Sequence, residues 1–583
     1  MNSRSSAAGG RSPGDTLRDR LRRSRLLPRL GQLISLGLLP WSLLAAQPSL
    51  GAERIYLSYG LLGRSITIKE LEIYARTGEI TGDLALYGQY AGPERLAQLR
   101  EVLLTPIGFD AVAVSQFLYS PQGEILLDRL GQVIQSEARQ SGFLGLRAAL
   151  ILAAAEPEGM TLLNVMQQFP TPGIRVDLGR SLEFADELST IVQETRQAVA
   201  AVKTQARTEA LLTPPLPSGE LVDVRSRGPV DYRRETLRLR DPSRDRTFPV
   251  DFYLPATPNA PVVIISHGLG SNRTTFAYLA AHLASYGFAV AVPEHPGSND
   301  AQLQALIEGR ASEVADPMEF VNRPLDIRYL IDTITTLNQS GSALEGRFNL
   351  DQIGILGQSF GGYTALAAAG ATLNFPRLQE DCLDVINTWN LSLLLQCRAL
   401  ETQTAASQVT LHDPRIKAAI AINPITSSVF GETGLNQLQV PVMIVTSSND
   451  TIAPALAEQI RPFTWINGSA DRYLLMMERA SHFSTLDEPS EGEEPIPLPS
   501  ALVGPDPAIA QNYMEAMSVA FFKTYLGQEP AYRSYLQANY PPLIDQPSVS
   551  LALVKDFNSA QLTEALQEKS PPPTATAAPV SRR

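Results

Sequence analysis

Two kinds of apolar spacing follow one another along this 583-residue chain. From Glu53 to about Ala206 the apolar positions recur mostly at helical intervals, as at Leu99, Val102, Leu103 and Ile107. Amphipathic helices of this kind continue to Lys203. Ile55 to Tyr59 is an exception and alternates like a short strand. Thr67-x-x-Glu70 matches a capping box, in which side chain and backbone satisfy each other's free groups at a helix start. Gly78 is the matching stop. Residues 53–206 therefore read as a mainly helical domain. The region has no His or Cys, so a packing or interaction role fits it better than chemistry. Thr213-Pro214-Pro215-Leu216-Pro217-Ser218-Gly219 marks a Pro-rich linker, placed at 207–220.

After the linker the pattern changes. Pro261 to Ser266 is a continuous apolar run, as expected of a strand buried on both faces. Phe276, Leu279, Ala280 and Leu283 then share one helical face. Further strands are read at Phe288–Val292, Ile353–Leu356, Ile416–Ile422, Val440–Thr446 and Arg472–Met477, the last of the series. A helical face at Ile327, Leu330, Ile331 and Ile334 and a small-residue helix around Ala365–Ala369 lie between them. Asp506-Pro507 opens a final helix that Gly527 ends. Strand and helix alternating over this length predict an α/β fold, a mostly parallel sheet covered by helices on both faces. This domain is placed at 221–540. A C-terminal extension follows at 541–583, Pro, Ala and Thr rich and disordered from about residue 570.

Composition narrows the class. With 44% hydrophobic and 19% charged residues the chain is globular and too long for a single ordinary core. The whole carries −12, but residues 1–52 hold eight Arg and two Asp, so the remainder carries −18. That balance argues against nucleic acid as a partner. The basic cluster Arg18 to Arg29 precedes an apolar run from Leu30 to Ala46, with small residues at Ser49 and Gly51. This reads as an export signal over 1–52, cut near Gly51 or Ala52, which sends the chain to the periplasm or outside the cell. An uncleaved membrane anchor is the alternative. Two cysteines are too few for a disulfide scaffold or a four-cysteine zinc site, and no metal motif is present.

The sharpest chemical signal is Gly357-Gln358-Ser359-Phe360-Gly361, between a strand ending at Leu356 and the small-residue helix. A serine on such a turn has a strained backbone and an oxygen that points off the sheet edge, and the glycines let strand and helix approach closely. The hydroxyl needs a base. Of the five histidines only His412 and His482 follow Ser359, and acid and base come after the serine in chain order. His412 precedes the strand at Ile416 and leaves no strand for the acid, so His482 is the candidate base. Asp450, after the strand ending near Thr446, is the candidate acid that would orient the imidazole. The backbone N–H groups of Phe360 and Leu269 are the candidate oxyanion donors, the second from the loop Ser266-His267-Gly268-Leu269-Gly270. His267 then shapes that loop.

The segment Ser266 to Thr274 resembles the corresponding part of the platelet-activating-factor acetylhydrolases. So do Leu283-Ala284-Ser285-Tyr286-Gly287-Phe288, Glu294-His295, Gly357 to Gly362 and Ser481-His482-Phe483. The resemblance spans about Val250 to Thr485 and extends to bacterial dienelactone-hydrolase-like enzymes. It implies a serine esterase on an α/β-hydrolase fold without cofactor. The acetylhydrolases cleave short or oxidised acyl chains from phospholipids. There is one departure. Their acid follows the strand that here ends at Ile422, where this chain has Asn423, which cannot carry a charge. Asp450, one strand later, matches the dienelactone hydrolases. The N-terminal part resembles an uncharacterised domain found ahead of such hydrolases in exported bacterial proteins.

The expectation is an exported ester hydrolase acting on a small-molecule or lipid ester, with at most transient contact with a membrane surface. A prolyl-oligopeptidase-type peptidase and a non-enzymatic binding protein are the rivals. The apolar insertion 371–408, with Trp389 and Leu393 to Leu395, reads as a lid or as a satellite packing element. Cys382 and Cys397 inside it either pair or remain buried thiols. The acidic run Asp487 to Glu494 reads as a solvated loop.

Overall fold

The computed structural model describes residues 51–60, 62–216, 221–469, 471–487 and 504–567. Most of the segment read as an export signal, up to residue 50, part of the linker, the acidic run after Asp487 and the tail from residue 570 lie outside the described residues.

The N-terminal region holds more than helices. Strands β1 (Arg54–Tyr59), β2 (Leu62–Thr67), β3 (Ile134–Ser136) and β4 (Gly173–Asp177) form a four-stranded sheet in the order β2-β1-β4-β3. Sequence periodicity misses most of it, because β1 pairs in parallel with β4, far along the chain. The helix after β2 starts as read: the Thr67 hydroxyl accepts from the Glu70 amide, and the Glu70 carboxylate accepts from the Thr67 amide. Gly78 ends it in the left-handed region at φ 80°.

The second sheet has nine strands: β5 (Tyr232–Asp241), β6 (Arg246–Pro255), β7 (Ala260–Ser266), β8 (Ala289–Pro293), β9 (Phe348–Gln358), β10 (Ile416–Ile422), β11 (Val442–Ser447), β12 (Arg472–Glu478) and β13 (Ser550–Val554). Their order is β13-β12-β11-β10-β9-β7-β8-β6-β5. The six strands from β12 to β8 run parallel, with antiparallel edges at β6, β5 and β13. Alternate residues of β7 feed two cores: Val262 and Ile264 face one helical layer, Val263 and Ile265 the other. That is why the run Pro261 to Ser266 is apolar throughout.

Two boundaries shift. The helix Leu178–Leu212 runs six residues into the segment read as linker. Its Ala198, Val199, Val202 and Ala206 are buried in the core of the large sheet, so it belongs to both parts of the chain. Arg472–Glu478 is not the last strand. The segment read as an extension supplies β13, and its helix Ser559–Gln567 lies on the long helix, where Gln561 Nε2 donates to Gln205 Oε1 at 2.8 Å. Long-range pairing decided both, and local spacing carries no sign of it. Among the described residues no helix is long and apolar enough to cross a membrane.

Candidate active site

Ser359 sits between β9 and the helix Phe360–Ala369 with φ 55° and ψ −117°. Non-glycine residues rarely adopt this region and hold it only where the surroundings impose it. Here its amide donates to the Ile422 carbonyl of β10 at 2.8 Å. A Cβ on Gly361 would collide with the Ser266 carbonyl, and one on Gly357 with the Gly361 carbonyl. A Cβ on Gly362 would stand 2.8 Å from Pro424 Cβ. The glycines are thus required by the approach of three backbone segments.

His482 lies on the loop after β12, and its Nδ1 is 2.7 Å from Asp450 Oδ2. The other carboxylate oxygen, Oδ1, accepts from the amides of Ile452 at 2.9 Å and Ala453 at 2.7 Å. Both residues are buried, as is Ser359. A carboxylate so held orients the imidazole ring through Nδ1 and turns Nε2 away from it. Asn423 does not take the Asp450 place. It is buried with φ 42°, and its Nδ2 points to Ser447 Oγ at 3.1 Å and the His482 carbonyl at 3.4 Å. Gln358 Nε2 donates to the same carbonyl at 3.1 Å. Two amide side chains therefore hold the backbone of the histidine loop. Gln358 stands inside the serine motif, yet nothing in the motif announces this role.

The loop after β7 is fixed by buried groups. The His295 amide donates to His267 Nε2 at 3.0 Å, so the His267 proton is on Nδ1, which donates to the Gly268 carbonyl at 2.8 Å. Burial, and then the charge of Arg323, push His267 and His295 well below the usual imidazole range. Beneath them lie Glu319 and Asp326, raised by burial against the pull of Arg246, which reaches Glu319 at 2.9 Å and Asp326 at 2.8 Å. In the resembling segment, Arg273 pairs with Glu294 and, at 3.2 Å, with Asp251.

The insertion closes on the same loops. Cys382 and Cys397 are joined by a disulfide, with Cα atoms 5.7 Å apart. Ser392 N donates to the Ile452 carbonyl at 2.8 Å, two residues from Asp450. Gln396 Oε1 accepts from the amides of Ser428 and Val429, both at 3.0 Å. Two cavities, of about 530 Å³ beside Lys203 and about 660 Å³ beside Trp465, are not lined by Ser359 or His482. Among the described residues no group of three or more His, Cys, Asp or Glu is arranged to hold a metal ion.

Sheet, elbow serine and loop-borne histidine define an α/β-hydrolase. Residues 251–326 match the family model for platelet-activating factor acetylhydrolase, isoform II. Residues 51–177 match that of an "alpha/beta hydrolase of unknown function (DUF1400)". A platelet-activating factor acetylhydrolase of Canis lupus familiaris is 26% identical over 167 residues, 23% of this chain. The chain spans 36% of the length of that relative. This protein is thus related to the platelet-activating factor acetylhydrolases. The first match covers the loop after β7 but neither Ser359 nor His482.

Proposed function

We propose that this chain is an exported serine hydrolase of carboxylic esters, acting on lipid or short-acyl phospholipid esters. The observation that carries the reading is the hydrogen bond of His482 to a buried Asp450, with Ser359 held on a strained elbow. Ser359 Oγ attacks the ester carbonyl while His482 Nε2 takes its proton. The N–H groups of Leu269 and Phe360 bind the oxyanion. His482 then protonates the leaving alcohol, and water hydrolyses the acyl-enzyme by the same route reversed. The acetylhydrolase relationship favours an acyl ester of a phospholipid as substrate. The disulfide favours an oxidising compartment.

The test is hydrolysis of p-nitrophenyl esters from acetate to palmitate beside a short-acyl phospholipid. Ser359→Ala should abolish turnover and labelling by a fluorophosphonate probe. Asp450→Asn should slow turnover on the order of 10⁴-fold, as in other triads. Asn423→Ala should cost far less. Undiminished turnover in Ser359→Ala would overturn the reading, and a larger loss in Asn423→Ala than in Asp450→Asn would overturn the choice of acid.

A further inference from the structure

One fully buried cation touches both sides of the oxyanion site. Arg323, on the helix Glu319–Leu337, is 0% exposed. Its Nη1 donates to the His267 carbonyl at 2.7 Å, and its Nη2 to the carbonyls of Gly268 at 3.3 Å and Ser298 at 3.4 Å. Its Nε donates to Ser298 Oγ at 2.8 Å. Glu319, its nearest carboxylate, is 3.9 Å away and already engaged by Arg246. A buried charge is expected to seek a carboxylate. This one spends its hydrogen bonds on the backbone of the loop after β7 and on Ser298.

The geometry of the peptide unit makes this consequential. The Gly268 carbonyl and the Leu269 N–H belong to one planar trans peptide and point in opposite directions. Donors fixed on the carbonyl, here Arg323 Nη2 and His267 Nδ1, therefore aim the N–H. On the other side of Leu269, the Gly270 N–H donates at 2.9 Å to the Ser298 carbonyl that Arg323 also holds. The guanidinium carbon also lies 4.4 Å from the centroid of the Phe360 ring, the residue bearing the other donor. We infer that Arg323 is the positioning residue of the oxyanion hole, aiming the Leu269 N–H and seating Phe360 from a single side chain. Its value lies in the transition state, because an amide aimed beforehand has no reorganisation to undergo when charge develops.

The inference rests on the esterase reading above, and its test separates the two. Arg323→Lys keeps the charge but loses the planar fork. Per fluorophosphonate-titrated site, kcat for p-nitrophenyl acetate should fall about 10²-fold, as when one oxyanion donor is lost, with KM within about twofold. Inhibition by an alkyl trifluoromethyl ketone, which Ser359 converts to a hemiketal oxyanion, should weaken by a similar factor. A role confined to folding would lower the number of titratable sites and leave both constants per site unchanged. That result overturns the inference, as does a fall in inhibitor affinity that only follows KM. If Arg323→Lys does not fold, Ser298→Ala is read the same way, with a fall on the order of tenfold at constant KM expected and no change overturning. A wild-type chain that neither turns over esters nor takes the probe removes the esterase reading itself.

Discussion

At Ser359 and its glycines, sequence and structure meet most directly. The elbow requires small residues because β9, its helix and the end of β7 converge on one another. Gly361 faces the Ser266 carbonyl with no room for a methyl group. Gly361→Ala should cost roughly 1–3 kcal/mol, the usual range for overpacking, and lower the urea midpoint together with esterase activity. An unchanged midpoint would show that the segments can part without loss. The Gly-x-Ser-x-Gly string is legible because these steric demands fall on neighbouring residues. Arg323 is not, since its partners His267, Gly268 and Ser298 lie elsewhere in the chain and a lone arginine in a helix carries no mark of burial.

Elements explain how such groups are tolerated. The helix Glu319–Leu337 contains Pro324, which has no N–H for the Phe320 carbonyl. The Tyr363 hydroxyl, from the helix Phe360–Ala369, donates to that carbonyl at 2.6 Å, so the break becomes a joint between the two helices. The disulfide closes a loop with a sequence separation of 15 and stabilises the insertion by about 3 kcal/mol through the unfolded chain. The helix Pro507–Tyr525 buries most of one carboxyl, that of Glu515. Burial raises Glu515 from the ordinary 4.5 to about 7. A carboxyl that holds its proton more tightly when folded contributes stability that is full below pH 4.5 and lost as pH rises through about 7. Glu515→Gln should therefore raise the melting temperature at pH 8, with the gain gone near pH 4.5. An equal gain at both pH values would show that charge burial is not the cause.

On the scale of the whole molecule, the chain is stitched across its length. Arg129 of the N-terminal region donates to the Thr388 carbonyl of the insertion and lies 3.8 Å from the centroid of the Trp389 ring. Trp389 Nε1 donates to Glu187 of the long helix at 3.0 Å. At the far end β13 covers the edge of β12, and Leu551, Leu553, Val554, Phe557 and Leu562 are buried. Truncation after Tyr540 strips this cover and exposes a hydrophobic strand edge, a template for aggregation. The truncated chain should collect in the insoluble fraction while the full chain stays soluble. A soluble, active truncation would show that β13 is dispensable.

Local physics carried much of the reading. The capping box at Thr67, the apolar strands of a parallel sheet and the steric pattern around Ser359 depend on residues close in sequence, so spacing alone revealed them. Chain order, with the need for a strand before the acid, leaves Asp450 and His482 as the candidates from sequence alone. Tertiary structure decided whatever depends on distant pairing. It placed β4 beside β1 and β13 beside β12, and it sank the long helix into the large core. It also set Asp450, and not Asn423, against His482, and brought Arg323 beneath the loop of Leu269. Backbone groups accept hydrogen bonds whatever their side chains are, so the sequence holds no local trace of which carbonyl a buried guanidinium will find.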